Sequence, residues 1–340
     1  MISKKIFFLT ILVIFSSLSM LYAMEINDGN IRLVINEKNG NFSMYYLTDP
    51  DTMRYEPLFN NREPRASFWE LNIDGNIDRL GRSRKFDIRT EDLNGNPVIV
   101  YESGNLEVRK IFTPTRTGNS NTINGVNITV TVQNTDNKAV SAGLRVLIDT
   151  NLGERRNMIP FITNNQVILN ETRIEGTSDE TYWISRGNNT ALMGSIVNPL
   201  DSDSRMPDYV IMANWKRLNK AKWDFKYSQG RSFNNRPYSI RDSAVCYYFE
   251  NATLEAGQTF TYDILLSTED IPWYSGRYVL DLTDIIGEIE DSVVNEDPNL
   301  LLLYSLQETL NRFIAGEIYL EERDLEEIES TIERLKSDYN

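Results

Sequence analysis

Long stretches of this chain alternate apolar and polar residues with a period of two, and that alternation restricts it to antiparallel sheets that keep one face wet. Between Asn127 and Gln133 the apolar positions are Ile128, Val130 and Val132. Val140, Ala142, Leu144, Val146 and Ile148 repeat the pattern in the next segment, and Phe260, Tyr262, Ile264 and Leu266 repeat it further on. Successive side chains of a strand point to opposite faces, so each run lays a β-branched or aromatic stripe along one side. Turn-forming clusters separate the runs: Asn39-Gly40-Asn41, Asn94-Gly95-Asn96-Pro97, Thr117-Gly118-Asn119 and Ala256-Gly257. Many short strands with closely spaced turns predict a mainly β body, an antiparallel sandwich or barrel, from about Ile26 to Thr268.

The two ends depart from this pattern. Lys4 and Lys5 precede an apolar run from Ile6 to Phe15 in which Thr10 is the only polar residue, and a softer stretch then leads to the small Ala23. This is the layout of a signal peptide over residues 1–23, and the run is shorter than the about 20 residues of a membrane span. An uncleaved anchor is the alternative; the serines between Phe15 and Leu21 weigh against it. The expectation is an exported protein, periplasmic or secreted, with no stable membrane span after cleavage. Cys246 is the sole cysteine, so no intramolecular disulfide forms and stability must come from the core.

Residues 281–340 read as an acidic helical module following the β domain of residues 24–280. Leu282, Ile285, Ile286, Ile289 and Val293 have helical spacing, Asp297-Pro298 is a good helix start, and Leu325, Ile328, Ile332 and Leu335 make an apolar seam. This segment holds 17 acidic and 4 basic side chains, against 49 and 35 in the whole chain. Nearly all of the net charge of −14 therefore sits at one end. The seam either packs within the module or docks on a protein partner in the cell envelope, leaving Glu322, Glu326, Glu329 and Glu333 as a partner-binding face.

The absence of histidine removes Ser-His-Asp and Cys-His catalysis and nearly every protein zinc site. There is no Gly-rich dinucleotide or phosphate loop, and the acidic balance opposes nucleic-acid binding. No catalytic residue, metal ligand or cofactor is assigned. Asp149 closes a strongly alternating strand and is followed by Asn151 and Glu154. Oxygen ligands at a strand end suit Ca²⁺ or sugar hydroxyls; the alternative is a turn in which Asp149 and Asn151 bond their own backbone. Asp201-Ser202-Asp203 lacks the glycine and distal glutamate of a Ca²⁺ loop and reads as a solvated loop. Glu70, Glu171, Glu180 and Asp149 are candidates for a carboxylate pair acting on glycans. Of the five tryptophans, Trp183 reads as core and Trp215, beside a polar turn, as a residue exposed for sugar stacking. Arg79, Arg82, Arg84 and Lys85 read as a solvated basic loop.

Two segments carry a family resemblance. Gly143-Leu144-Arg145-Val146-Leu147-Ile148-Asp149-Thr150-Asn151-Leu152-Gly153 and Phe249-Glu250-Asn251-Ala252-Thr253-Leu254-Glu255-Ala256-Gly257-Gln258-Thr259 resemble parts of galactose-mutarotase-like supersandwich domains. The resemblance implies a supersandwich-type sheet arrangement over about Ile26 to Thr268. Mutarotase-type enzymes use histidine together with a glutamate, so their activity is not implied for a chain without histidine. The expected function is a non-enzymatic envelope binding or scaffold protein acting through its acidic helices. The alternatives are a glycan-binding sandwich using Asp149, Asn151, Glu154 and Trp215, or a carboxylate-dependent glycan-active enzyme.

Overall fold

The computed structural model describes residues 23–268 apart from 60–65, 119, 151, 155–159, 188–189, 198–202, 238 and 240–241. Residues 1–22 and 281–340, with Glu322, Glu326, Glu329 and Glu333, lie outside the described residues, as does Asn151. The chain divides into two compact units, and the described residues up to Thr163 and from Val167 onward belong to the first. The sheets described all belong to the first. Among the described residues no helix is long and apolar enough to cross a membrane.

The first unit is built from three antiparallel sheets. The smallest runs β1 (Ala23–Asp28), β2 (Ile31–Asn36), β3 (Phe42–Asp49) and β4 (Arg54–Pro57) in simple order. A six-stranded sheet contains β5 (Phe68–Ile73), β6 (Asn76–Arg79), β11 (Val140–Asp149), β14 (Thr172–Glu175), β17 (Tyr209–Asn214) and β18 (Ser243–Leu254), ordered β14-β17-β18-β11-β5-β6. A nine-stranded sheet holds β7 (Asp87–Leu93), β8 (Asn96–Glu102), β9 (Leu106–Thr115), β10 (Gly125–Asn134), β12 (Phe161–Thr163), β13 (Val167–Ile168), β15 (Tyr182–Arg186), β16 (Ala191–Ser195) and β19 (Thr259–Ser267). Its order is β13-β12-β15-β16-β19-β10-β9-β8-β7.

The stripes read from sequence form the main core. Ile128, Val130 and Val132 of β10 lie opposite Phe112, Lys110 and Val108 of β9 on one side and Ile264, Tyr262 and Phe260 of β19 on the other. Leu144, Val146 and Ile148 of β11 and Val245, Tyr247 and Phe249 of β18 join the same cluster from the six-stranded sheet. Trp183 is fully buried, as expected; its indole N–H donates to Tyr247 Oη at 2.6 Å, and Tyr247 in turn donates to the Ser195 carbonyl at 2.9 Å. The mainly β, antiparallel sandwich architecture expected from the alternation is what these residues form.

One expectation fails in an informative way. β11 does not keep a wet face, because Arg145, Leu147 and Asp149, on the side opposite the main core, are buried too. A second apolar cluster covers that face and includes Phe68, Leu147, Tyr209, Leu218, Cys246 and Tyr248. Its lid is a strap that begins with a short helix, α1 (Trp215–Lys220), capped by the Asn214 side chain accepting from the Arg217 amide. Arg145 ties strap to sheet: its guanidinium donates to the carbonyls of Leu218, Ala221 and Lys222 and pairs with Glu70 at 3.1 Å. Arg79 is therefore not part of a solvated loop. It closes the network from β6, pairing with Glu70 at 2.9 Å and lying 3.3 Å over the Phe68 ring. Arg82, Arg84 and Lys85 are exposed, as expected.

Candidate functional site

Asp149, Glu154 and Trp215, three of the residues singled out by chemistry, come together at one end of the six-stranded sheet. Pairing sets Asp149, the last residue of β11, opposite Ala244 of β18, and Ala244 opposite Ala213 of β17. The same end therefore gathers the start of β18, the exit of β17 into α1 and the approach to β5. The Asp149 amide donates to Ser67 Oγ at 3.0 Å, just ahead of β5. Beyond Asp149 the chain turns at Gly153, which takes φ 73°, in the left-handed region open to glycine. That turn returns Glu154 to the strand ends, where its carboxylate accepts from the Ser243 amide at 3.1 Å.

Asp149, Glu154 and Asp242 thereby bring three carboxylates together, with oxygens within 4.8 Å of one another. Asp149 is buried and the other two are half-buried. Burial pushes the Glu154 carboxyl up to about 8, repulsion from Asp149 and Asp242 adds to the rise, and the Ser243 amide pulls against it. Near neutral pH Glu154 thus keeps its proton and offers an O–H donor beside carboxylate acceptors. This all-oxygen donor set also has the chemistry of a hard-cation ligand group, although it is smaller than the about six to eight oxygens that Ca²⁺ takes.

Trp215 is fastened to the same place. Its backbone amide donates to the Asp242 carbonyl at 2.8 Å, and its indole N–H donates to the Ala66 carbonyl at 3.0 Å. It opens a helix rather than standing at a polar turn, and it is half-buried against the second cluster instead of freely exposed.

The other carboxylates proposed from sequence are separately employed. Glu70 is held by Arg145 and Arg79; Glu171 is held by Arg217 and accepts from the Ser228 amide at 2.9 Å. Glu180 is buried next to Tyr182, raising that phenol after the larger effect of burial. None of the three belongs to the carboxylate group at Asp149. Asp203 is exposed, and Asp201 and Ser202 lie outside the described residues. Asp242 was missed from sequence. No local pattern marks it, and only the β11–β18 pairing carries it to Asp149.

No protein-family model matches the chain, and no curated protein matches it. Among solved structures it is similar to a polysaccharide lyase, at 9% identity and a TM-score of 0.42, over 73% of this chain and 33% of the lyase. It therefore spans about a third of the lyase's length. It is also similar to a galactose mutarotase-like protein from Lactobacillus casei, with 9% identity, a TM-score of 0.43 and coverage of 73% of this chain and 100% of that one. A GalM/aldose epimerase homologue from C. elegans gives 9% identity and a TM-score of 0.44, over 73% of this chain and 99% of that one. At these values the likenesses carry neither an activity nor a ligand over to this chain.

Proposed function

We propose that the protein is a non-enzymatic carbohydrate-binding β-sandwich protein that holds a glycan where β11, β17 and β18 end. The observation that carries this reading is the convergence of Asp149, Glu154 and Asp242 at the place where Trp215 is fastened. Sugar hydroxyls both donate and accept, and a protonated Glu154 among carboxylates answers both needs. The half-buried Trp215 ring supplies an apolar surface for the C–H face of a sugar ring. Isothermal titration against glycans captured on an array tests it. Trp215→Ala and Asp242→Asn should each weaken binding at least tenfold; no binding by the native protein, or equal binding by both variants, would refute it.

The acidic end supports a second, compatible role. Its 17 acidic against 4 basic side chains over residues 281–340 suit a basic partner protein, and the signal-like start of the chain suits an encounter in the cell envelope. Deleting residues 281–340 should abolish partner crosslinking in intact cells; an unchanged crosslinking pattern removes this role.

A further inference from the structure

Lys110 sits in the middle of β9, and its place in the alternation, between Val108 and Phe112, points it into the core, where it is 1% exposed. Its Nζ donates to the Gly40 carbonyl at 3.1 Å and to Tyr101 Oη at 3.4 Å, and lies 4.9 Å from the Trp69 ring centre. All three sheets meet at this amine: Gly40 belongs to the turn between β2 and β3, Tyr101 to β8 and Trp69 to β5. The turn is seated closely. Tyr101 donates its hydroxyl to the Asn39 carbonyl at 3.0 Å, and a Cβ on Gly40, at φ +66°, would fall 1.9 Å from Tyr101 Oη.

The seat strips the amine of water and gives it no counter-ion; two aromatic faces attract an ammonium but do not replace the hydration it loses. An ammonium carries three N–H donors and a full charge. Here it meets one carbonyl, one phenol oxygen and two aromatic faces, and among the described residues Lys110 makes no ion pair. From β8 the facing titratable group is Tyr101, itself held neutral because burial raises its phenol; β5 presents only the non-titrating indole of Trp69, and the turn only backbone. Burial pushes Lys110 down to about 7.

We propose that the seat of the Asn39–Gly40 turn on the sandwich is a proton-controlled joint, closed over neutral Lys110 and loosened when Lys110 takes up a proton. In the open joint water reaches the amine and restores its ordinary affinity for a proton, near 10.5. Closing therefore releases a proton between about 7 and 10.5, so closure strengthens as pH rises through that window and is weakest below it.

Two measurements decide it. In a ¹³Cε-labelled lysine NMR titration of the native protein, the Lys110 signal should have its midpoint near neutral pH; a midpoint above 9 overturns the joint. Amide exchange reads the opening directly, because the Gly40 N–H donates to the Asn36 carbonyl at 2.7 Å. Corrected for intrinsic exchange, Gly40 protection should rise between pH 6 and 8.5, by up to about thirty-fold if the joint opens alone. Lys110→Met should abolish the rise. A rise that persists in Lys110→Met, or an equal rise at the Val130 amide in mid-sheet, overturns the proposal.

Discussion

Arg145→Met asks what the buried guanidinium does for the strap. Methionine keeps the stem of the side chain and removes every donor. In the native protein Arg145 is fully buried and donates to three strap carbonyls, to Glu70 and, from Nε, to Cys246 Sγ at 3.3 Å. Hydrogen bonds from a charged donor contribute about 1.5–3 kcal/mol each, and orphaning one member of a buried ion pair costs about 3–5 kcal/mol. Two effects offset this. Glu70 retains Arg79 at 2.9 Å, and a buried cation no longer has to be stripped of water, which returns several kcal/mol. The expected net loss is about 3 kcal/mol. For a urea m-value of about 2–3 kcal/mol per molar, that lowers the unfolding midpoint by about 1 M. Equilibrium urea unfolding measures it, and amide exchange over residues 217–228 shows whether the loss falls on the strap. Adding Glu70→Leu to Arg145→Met should recover none of the loss, because Glu70 still pairs with Arg79 in the single variant and its removal takes the carboxylate from that guanidinium. A single variant within about 0.5 kcal/mol of native, or unchanged protection over the strap, would refute the view that Arg145 holds it down.

Two further perturbations probe the site and the core. The folded Glu154 carboxyl lies at about 8 against 4.5 when unfolded, so the folded state holds the extra proton between those values. Its stabilisation is complete below about 4.5 and is lost as pH rises through 8; Glu154→Gln should remove about 2 kcal/mol of that fall, allowing for solvent at a half-buried group, and equal pH slopes in urea unfolding would contradict this. At Gly194 a Cβ would stand 2.4 Å from the Trp183 indole, which cannot retreat because it is fully buried and bonded to Tyr247. Gly194→Ala should therefore cost about 1–3 kcal/mol by overpacking, seen as a lower unfolding midpoint and a change in tryptophan fluorescence.

Alternation belongs to each strand's own backbone, so the inward stripes of β10, β11 and β19 and the turns at Gly40, Gly95 and Gly257 were readable without a partner in view. The nearness of Asp149 and Glu154 was readable for a similar reason, since only four residues, one of them the turn glycine Gly153, lie between them. What reaches them from far along the chain was not. Asp242 arrives only through the register of β18 on β11, and Trp215 loses part of its exposure because it opens a strap that folds back over the sheet. The same strap buries the face of β11 that alternation assigns to water, and makes Arg145 a core residue in spite of its charge. A strand's sequence fixes which residues share a face; only the tertiary fold decides what covers that face, because burial depends on contacts between segments about a hundred residues apart, for which local periodicity carries no information.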